Sequence, residues 1–119
     1  MIAHIVLFSP KASLSARERE ETITALEQAC SDIPQIARVR VGRRRLLGYS
    51  YDALAPVPFE YAVVMEFESE ADLHAYLHHP AHVALGHHFN NSAEVAIALD
   101  FAIGDASQIQ AIAALDAPA

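Results

Sequence analysis

The chain has 119 residues, of which 53% are hydrophobic and 19% are charged, and its formal net charge is −7. This length predicts one domain, large enough to bury a core without disulfides or metal. The acidic balance argues against general nucleic-acid binding, which requires basic surface to neutralise phosphates, and no apolar run is long enough to span a membrane.

The sequence contains a single cysteine, Cys30, so no internal disulfide can form. The apolar segment at residues 1–8 has no basic region before it and no cleavage-like segment after it, so we interpret it as a strand rather than a signal peptide. A lone cysteine fits a reducing compartment, and we therefore predict a cytoplasmic location.

Residues 2–8 predict the first strand, because apolar side chains occupy both alternating faces. One face carries Ile2, His4, Val6 and Phe8. A strand that is apolar on both faces belongs in the interior of a sheet. His4 is therefore expected to point into the protein or line a pocket, which is an unusual place for an imidazole.

A helix is predicted after the turn at residues 10–14. Ser15 and Glu18 form a capping-box pattern, in which each residue satisfies a free N–H group at the helix start. Apolar residues then recur at helical spacing, and the helix ends before Pro34. These apolar positions are Ile23, Leu26, Cys30 and Ile33.

Two further strands follow, at about residues 36–44 and 59–68, and a long connection joins them. The connection, residues 45–58, is rich in leucine and tyrosine for a loop. Long connections of this kind often act as lids or partner-contact segments. Arginines at the end of the second strand form the chain's basic cluster, interpreted either as a solvated strand edge or as a contact for a carboxylate. Its members are Arg38, Arg40, Arg43, Arg44 and Arg45.

The segment Tyr76-Leu77-His78-His79-Pro80-Ala81-His82-Val83 predicts a break between two helices. Proline lacks an N–H group and disfavours a helical residue before it, so one helix should end near His79. Proline also suits the first turn of a helix, so the next should begin at Pro80. We expect a bend that carries imidazoles, with Tyr76 just before it and His82 just after it.

The last strand alternates across residues 94–101, and the whole order is β-α-β-β-α-β. This order predicts an α+β, ferredoxin-like fold with an antiparallel sheet and helices on one face. We expect a second copy to cover the bare face, which makes the protein a homodimer. The small or apolar residues assigned to that bare face are Ala62, Val64, Ala96 and Ala98.

The domain is predicted to span residues 1–103. Residues 104–119 are interpreted as a C-terminal tail, in which Ile109, Ile112 and Leu115 are spaced for one short docking helix. The tail is expected to be dispensable for folding.

The chain resembles the stress-responsive A/B barrel (Dabb) domain family over residues 2–102. The motifs that carry the resemblance are His4-Ile5-Val6-Leu7-Phe8, Ile33-Pro34, Val41-Gly42, Glu66-Phe67-Glu68-Ser69, the Tyr76–Val83 segment and Asp100-Phe101. The family implies a homodimer in which two ferredoxin-like subunits form an α+β barrel. Some members resemble stress proteins of plants, and others are polyketide cyclases that close a ring by intramolecular aldol chemistry.

The resemblance implies three site residues, His4, Tyr76 and His82. Two further tyrosines fall on Leu26 and Phe59 here, so the resemblance does not carry the cyclases' substrate, or their reaction, over to this chain. An aldol closure needs a base that removes a proton from the carbon beside a carbonyl group. It also needs a hydrogen-bond donor that stabilises the resulting oxyanion. His82 as base, Tyr76 as donor and His4 as orienting residue make a coherent set, with a small aromatic or polyketide-like ligand and no cofactor.

The alternative interpretation is structural. His82 then braces the bend after Pro80, Tyr76 packs a helix against the sheet, and His4 bonds to a carbonyl group. Two functions stay open at this point: a cofactor-independent enzyme or binder of the cyclase or lyase type, and a non-catalytic stress-associated dimer. An enclosed cavity reached by His4, Tyr76 and His82 would favour the first.

A metal site is not predicted, although five histidines occur close together. The bend at Pro80 disrupts their spacing, adjacent pairs point to different sides of a helix, and neither a cysteine nor an acid completes a zinc pattern. These histidines are His78, His79, His82, His87 and His88.

Overall fold

The order of strands and helices agrees with the predicted β-α-β-β-α-β arrangement. The computed structural model describes residues 1–55 and 57–114. Its elements are β1 (Ile2–Pro10), α1 (Ala16–Asp32), β2 (Arg38–Arg43), β3 (Tyr61–Phe67), α2 (Glu70–His78), α3 (Pro80–Ser92), β4 (Ala93–Ala102) and α4 (Ile109–Ala114), with short 3-10 helices at Ser50–Leu54 and Ala106–Gln108.

The sheet has the order β2-β3-β1-β4, and every neighbouring pair is antiparallel. β1 therefore lies inside the sheet, as its two apolar faces predicted. Its register places His4 between Met65 of β3 and Asp100 of β4. The α+β, ferredoxin-like fold predicted from the sequence is confirmed.

Local chemistry fixes the helix ends. The Ser15 hydroxyl accepts the Glu18 N–H at 3.1 Å, and the Glu18 carboxylate accepts the Ser15 N–H at 3.1 Å, so the capping box forms as predicted. His79 lies between α2 and α3 with extended backbone, and its Nδ1 accepts the Ala81 N–H at 3.0 Å. Pro80 is the first residue of α3, so the predicted break is confirmed.

The hydrophobic core lies between the helices and the β3 and β1 strands. Phe67, Met65 and Ile33 are its largest fully buried side chains, and Tyr76 reaches it from α2. Leu26 and Cys30 of α1 pack against its margin, which agrees with their predicted place on the apolar face of this helix.

The assignment of the β4 faces was wrong. The register puts Ala98 opposite Val6 and Asp100 opposite His4, so these small and acidic residues lie on the helix side. The large residues of β4 lie on the outer face and are 40–47% exposed: Ile97, Leu99 and Phe101. Alternation separates the two faces of a strand, but only the pairing register decides which one meets the helices.

The outer face of the sheet is consequently more apolar than predicted. Leu99 lies opposite Ile5, and Ile97 lies opposite Leu7, so the apolar side chains of β4 and β1 adjoin. Ala62 and Val64 of β3 continue the surface on the other side of β1. A contiguous exposed apolar surface of this kind marks an interaction site.

The connection between β2 and β3 is held by its own polar groups. The Arg44 guanidinium donates to the carbonyl groups of Asp52 at 3.3 Å and Val57 at 3.5 Å. The Asp52 carboxylate accepts the N–H groups of Leu47 and Gly48 at 3.0 and 2.8 Å. Gly48 has φ +85°, a left-handed conformation suited to glycine.

Several members of the basic cluster have partners within the chain. Arg38 lies 3.8 Å from the Glu66 carboxylate, and the Arg43 guanidinium lies 5.8 Å from the centre of the Tyr61 ring. Arg44 holds the loop. These contacts account for three of the five arginines without a substrate carboxylate.

The C-terminal segment forms the short helix α4, in which Ile109 and Ile112 are exposed. Leu115 lies outside the described residues. Docking of this helix, its dispensability and the boundary between residues 103 and 104 stay predictions. Within the described part of the chain, no helix combines the length and the apolar character needed to cross a membrane.

Candidate functional site

The structure brings together the three predicted site residues, which come from three different elements. The Tyr76 ring of α2 lies close to both the His4 imidazole on β1 and the His82 imidazole on α3. The ring centroids of Tyr76 and His4 are 5.8 Å apart, and those of Tyr76 and His82 are 4.6 Å apart. The break between α2 and α3 at Pro80 turns the chain so that the His82 ring contacts the Tyr76 ring.

Tyr76 is held by the core. It is 2% exposed, and its ring packs on Phe67 with the centroids 5.2 Å apart. Burial raises the pKa of Tyr76 from 10 to about 12, with a smaller contribution in the same direction from Cys30. The phenol therefore keeps its proton at neutral pH and is able to donate a hydrogen bond.

His82 has a defined tautomer. Its Nδ1 lies 3.0 Å from the carbonyl oxygen of Leu77. Because that oxygen only accepts, Nδ1 carries the proton and Nε2 keeps its lone pair. Burial lowers the pKa of His82, the bond to Leu77 opposes that effect, and repulsion between the protonated forms of His82 and His4 adds to it. His82 is therefore a neutral imidazole with an available base nitrogen.

His4 has a partner that the sequence interpretation missed. Its Nδ1 lies 2.6 Å from the Asp100 carboxylate, so the expected bond to a carbonyl group is replaced by one to a carboxylate. The His4 side chain is 10% exposed and that of Asp100 is 49% exposed. Asp100 was noted only as part of a motif. The sequence does contain a signal, because Asp100 is an acid among alanines on one face of β4. Recognising it as the partner of His4 required the pairing register of β1 and β4.

Two other histidines near the bend, His78 and His79, make local contacts with the backbone. His78 Nδ1 lies 2.8 Å from the His74 carbonyl oxygen, and His79 caps α3. Among residues 1–55 and 57–114, no group of three or more His, Cys, Asp or Glu side chains is placed to hold a metal ion. Burial raises the pKa of the Cys30 thiol, which makes it a poor nucleophile.

Two concave surfaces of the subunit lie away from the three rings. One runs between α1 and α3 and includes Ala84 and His88, and the other surrounds Pro34 and Gln35. Neither is lined by His4, Tyr76 or His82. The enclosed cavity beside these residues therefore stays a prediction.

Ionisation of Tyr76 gives a direct check of this environment. We expect the difference in tyrosinate absorbance between the wild-type protein and Tyr76→Phe to develop near pH 12. The unfolded chain ionises near 10, so the stability linked to this group is complete below pH 10 and is lost as the pH rises toward 12. A midpoint near 10, with circular dichroism showing a folded protein, would contradict the burial of the hydroxyl.

The sequence matches a family model described as the stress responsive A/B barrel domain, over residues 2–103. The chain belongs to this family. The resemblance noted in the sequence is therefore confirmed, and the Dabb match covers both ends of the candidate site, from His4 to Asp100. No curated protein matches this chain at a significant level.

Solved structures show the same Dabb-type fold. A dimeric ferredoxin-like protein of unknown function from Thermobifida fusca is 29% identical, with 86% of this chain and 90% of that chain covered and a TM-score of 0.66. A Dabb family protein from Mesorhizobium loti is 20% identical, with 87% and 97% covered and a TM-score of 0.67. The hydroxynitrile lyase from Passiflora edulis is 22% identical, with 87% and 94% covered and a TM-score of 0.73.

Proposed function

We propose that this protein is a homodimeric α+β barrel that binds a small carbonyl compound at His4, Tyr76 and His82 and catalyses cofactor-independent acid–base chemistry of the aldol cyclase or lyase type. One observation carries the proposal: the Tyr76 ring lies 4.6 Å from the His82 ring, and each group is in the required protonation state. A neutral imidazole and an un-ionised phenol supply the base and the donor that enolate chemistry needs.

The first step is proton abstraction. His82 Nε2 takes a proton from the carbon beside the ligand's carbonyl group, and the electron pair of the broken C–H bond forms an enolate. The Tyr76 hydroxyl donates a hydrogen bond to the enolate oxygen, where negative charge develops. Because the site is partly buried, that interaction is stronger than it would be in water.

The second step forms the new bond. The enolate carbon attacks a second carbonyl carbon of the same ligand, and the resulting alkoxide takes the proton back from the His82 imidazolium. The overall reaction of the two steps is a ring closure, with no change in oxidation state and no net loss of protons. The same groups used in reverse order cleave a carbon–carbon bond, which is the lyase direction.

His4 and Asp100 support this pair. The Asp100 carboxylate accepts the His4 Nδ1 hydrogen, so the free nitrogen of His4 is Nε2. We assign the His4 Nε2 the acceptance of a hydrogen bond from a hydroxyl group of the ligand, beside Tyr76. Asp100 is a positioning residue, because it fixes the ring orientation and tautomer of His4.

The Passiflora edulis protein supports this class of chemistry as precedent. It is named a hydroxynitrile lyase, so a protein of this fold performs a lyase reaction. At 22% identity its substrate does not transfer to this chain, and the acid–base chemistry proposed for this protein rests on the side chains of His4, Tyr76 and His82.

The dimer is supported by the outer face of the sheet. Ile97, Leu99 and Phe101 are 40–47% exposed there, and the related Thermobifida fusca protein is described as dimeric. Face-to-face pairing of two sheets removes this apolar surface from water and leaves the helix side of each subunit open.

A non-catalytic dimer is the second candidate. It is favoured by the bond between His82 and the Leu77 carbonyl, which braces the bend at Pro80, and by the cap that His79 provides. In that case the histidines maintain the fold, and the protein should not accelerate any proton transfer.

Deuterium exchange separates the two candidates. We would incubate the wild-type protein with 4-phenylbutan-2-one in D₂O at neutral pH and follow loss of the protons beside the carbonyl by NMR. The proposal predicts exchange faster than in buffer containing heat-denatured protein. Equal rates in the two samples would support the structural dimer.

A further inference from the structure

The connection between β2 and β3 carries large apolar side chains that are exposed on the subunit. Five of them are 59–81% exposed: Leu46, Leu47, Tyr49, Tyr51 and Leu54. The rings of Tyr49 and Tyr51 stack on each other, with their centroids 5.7 Å apart. Monomeric proteins seldom leave so much apolar surface in one short segment, and a surface of this kind marks a site of interaction.

The connection has a defined conformation of its own. The Asp52 carboxylate accepts the N–H groups of Leu47 and Gly48, and Gly48 has the left-handed conformation that this turn requires. The Arg44 guanidinium donates to two carbonyl groups further along the connection. A segment held in this way loses little conformational entropy when it binds, so its exposed side chains form a surface that is ready for a partner.

Ser9 shows how the connection is attached to the sheet. Ser9 alternates with Ile5 and Leu7 along β1, so it belongs to the outer face, yet it is only 8% exposed. Its hydroxyl donates to the Pro58 carbonyl group and accepts the Glu60 N–H at 3.1 Å. The connection is therefore attached to the outer face of the sheet, at the C-terminal end of β1.

The same attachment places the end of the connection away from the candidate site. The Phe8 carbonyl group accepts the Glu60 N–H at 3.1 Å, and His4 lies four residues earlier on β1. Four residues of a strand extend about 13 Å. His4 is also on the helix side of the sheet, whereas Ser9 is on the outer face. A lid over the site of the same subunit is therefore disfavoured.

We propose that the β2–β3 connection packs on a second copy of this chain, where its leucines and the stacked Tyr49 and Tyr51 rings extend the contact between the two sheets. The inference rests on the homodimer of the proposed function and adds a second contact surface to it. A second copy is the occupant because the outer face and the connection meet at Ser9, so a subunit that covers the outer face lies beside the connection. Two-fold pairing makes this contact twice, once from each copy.

The charge of the connection fits an apolar partner surface. Asp52 is the only charged residue between positions 46 and 58, and its carboxylate is already bonded to two backbone N–H groups. The outer face of β4 offers an apolar surface on the same chain, with side chains that are 40–47% exposed: Ile97, Leu99 and Phe101. Contact between apolar surfaces removes both from water.

Isotope-filtered NMR gives the direct test. In a dimer of one ¹³C,¹⁵N-labelled and one unlabelled subunit, the filter selects nuclear Overhauser effects between the subunits. We expect such effects from the Leu47 methyl groups and the Tyr51 ring. None is expected from Ile23, an exposed residue of α1 on the opposite side of the sheet. If the side chains of the connection show effects only within their own subunit, the inference is wrong.

Loss of the apolar side chains should speed the separation of the subunits. We expect folded Leu47→Ser and Tyr51→Ser each to exchange subunits about tenfold faster than the wild-type protein, as measured by native mass spectrometry with labelled wild-type protein. Asp52→Ala should act in the same direction, because the connection loses its conformation although no apolar side chain is removed. The matched control Ile23→Ser should exchange at the wild-type rate. Wild-type rates in all three connection variants would overturn the inference.

Failure of this contact and failure of the proposed function are distinguishable. If the wild-type protein is a dimer but its connection does not touch the partner, the proposed dimer stands and only this inference is wrong. If the wild-type protein is a monomer, the dimer itself is wrong. Proton exchange from 4-phenylbutan-2-one should be unchanged in Tyr51→Ser. A lower rate there, with wild-type subunit exchange, would assign the connection to the site instead and overturn the inference.

Discussion

Replacing His82 by glutamine is expected to lower the rate of proton exchange from 4-phenylbutan-2-one by about 100-fold or more, the usual contribution of a positioned general base. Glutamine retains a side chain of similar length that is able to donate to the Leu77 carbonyl group, so the bend should survive. What it lacks is the basic Nε2 of the imidazole. The loss should appear in the catalytic rate, with wild-type circular dichroism and thermal midpoint.

The matched control is His87→Gln, at an exposed position on the same helix. It should exchange protons at the wild-type rate. The wild-type rate should also fall as the pH drops, because the pKa of His82 is lowered from 6.5 and the protonated imidazole cannot act as a base. Full activity in folded His82→Gln would show that another group removes the proton.

A lysine in place of Leu99 is expected to convert the dimer to a monomer. Leu99 lies on the outer face opposite Ile5, within the apolar surface formed by β4 and β1. Burying an ammonium group without a partner at such an interface costs several kcal/mol, enough to shift a micromolar equilibrium to free subunits. The helix-side core is untouched, so the monomer should keep its secondary structure.

Light scattering at micromolar concentration should report twice 12.9 kDa for the wild-type protein and 12.9 kDa for Leu99→Lys. Ile23→Lys serves as the control, because Ile23 is an exposed residue of α1, on the opposite side of the sheet. It should remain dimeric. If the wild-type protein is a monomer, or if Leu99→Lys is a dimer, the proposed dimeric barrel is wrong.

The parts of the fold that follow from short-range patterns were predictable from the sequence. The capping pair Ser15 and Glu18 fixes the start of α1, and Pro80 fixes the break between α2 and α3. The alternation of side chains along β1 and β3 predicts which residues point toward the core, and His4 is one of them. Each of these depends on residues within a few positions of one another, so no knowledge of pairing is needed.

The β4 face and the role of Asp100 were not predictable in this way. In isolation the apolar residues Ile97 and Leu99 are assigned to the core, yet the pairing with β1 turns them outward. A shift of one residue in that register would reverse the faces. The partnership of His4 with Asp100 joins residues 96 positions apart, which no local pattern specifies.

The acid–base proposal depends most directly on the state of His82, which can be measured without knowing the substrate. Nitrogen-15 NMR of the histidine side chains, assigned with His82→Gln and followed through a pH titration, reports both tautomer and pKa. We expect a neutral His82 at pH 7, protonated on Nδ1 and unprotonated on Nε2, with a pKa below 6.5. A His82 that is an imidazolium at pH 7, or neutral with its proton on Nε2, would contradict it.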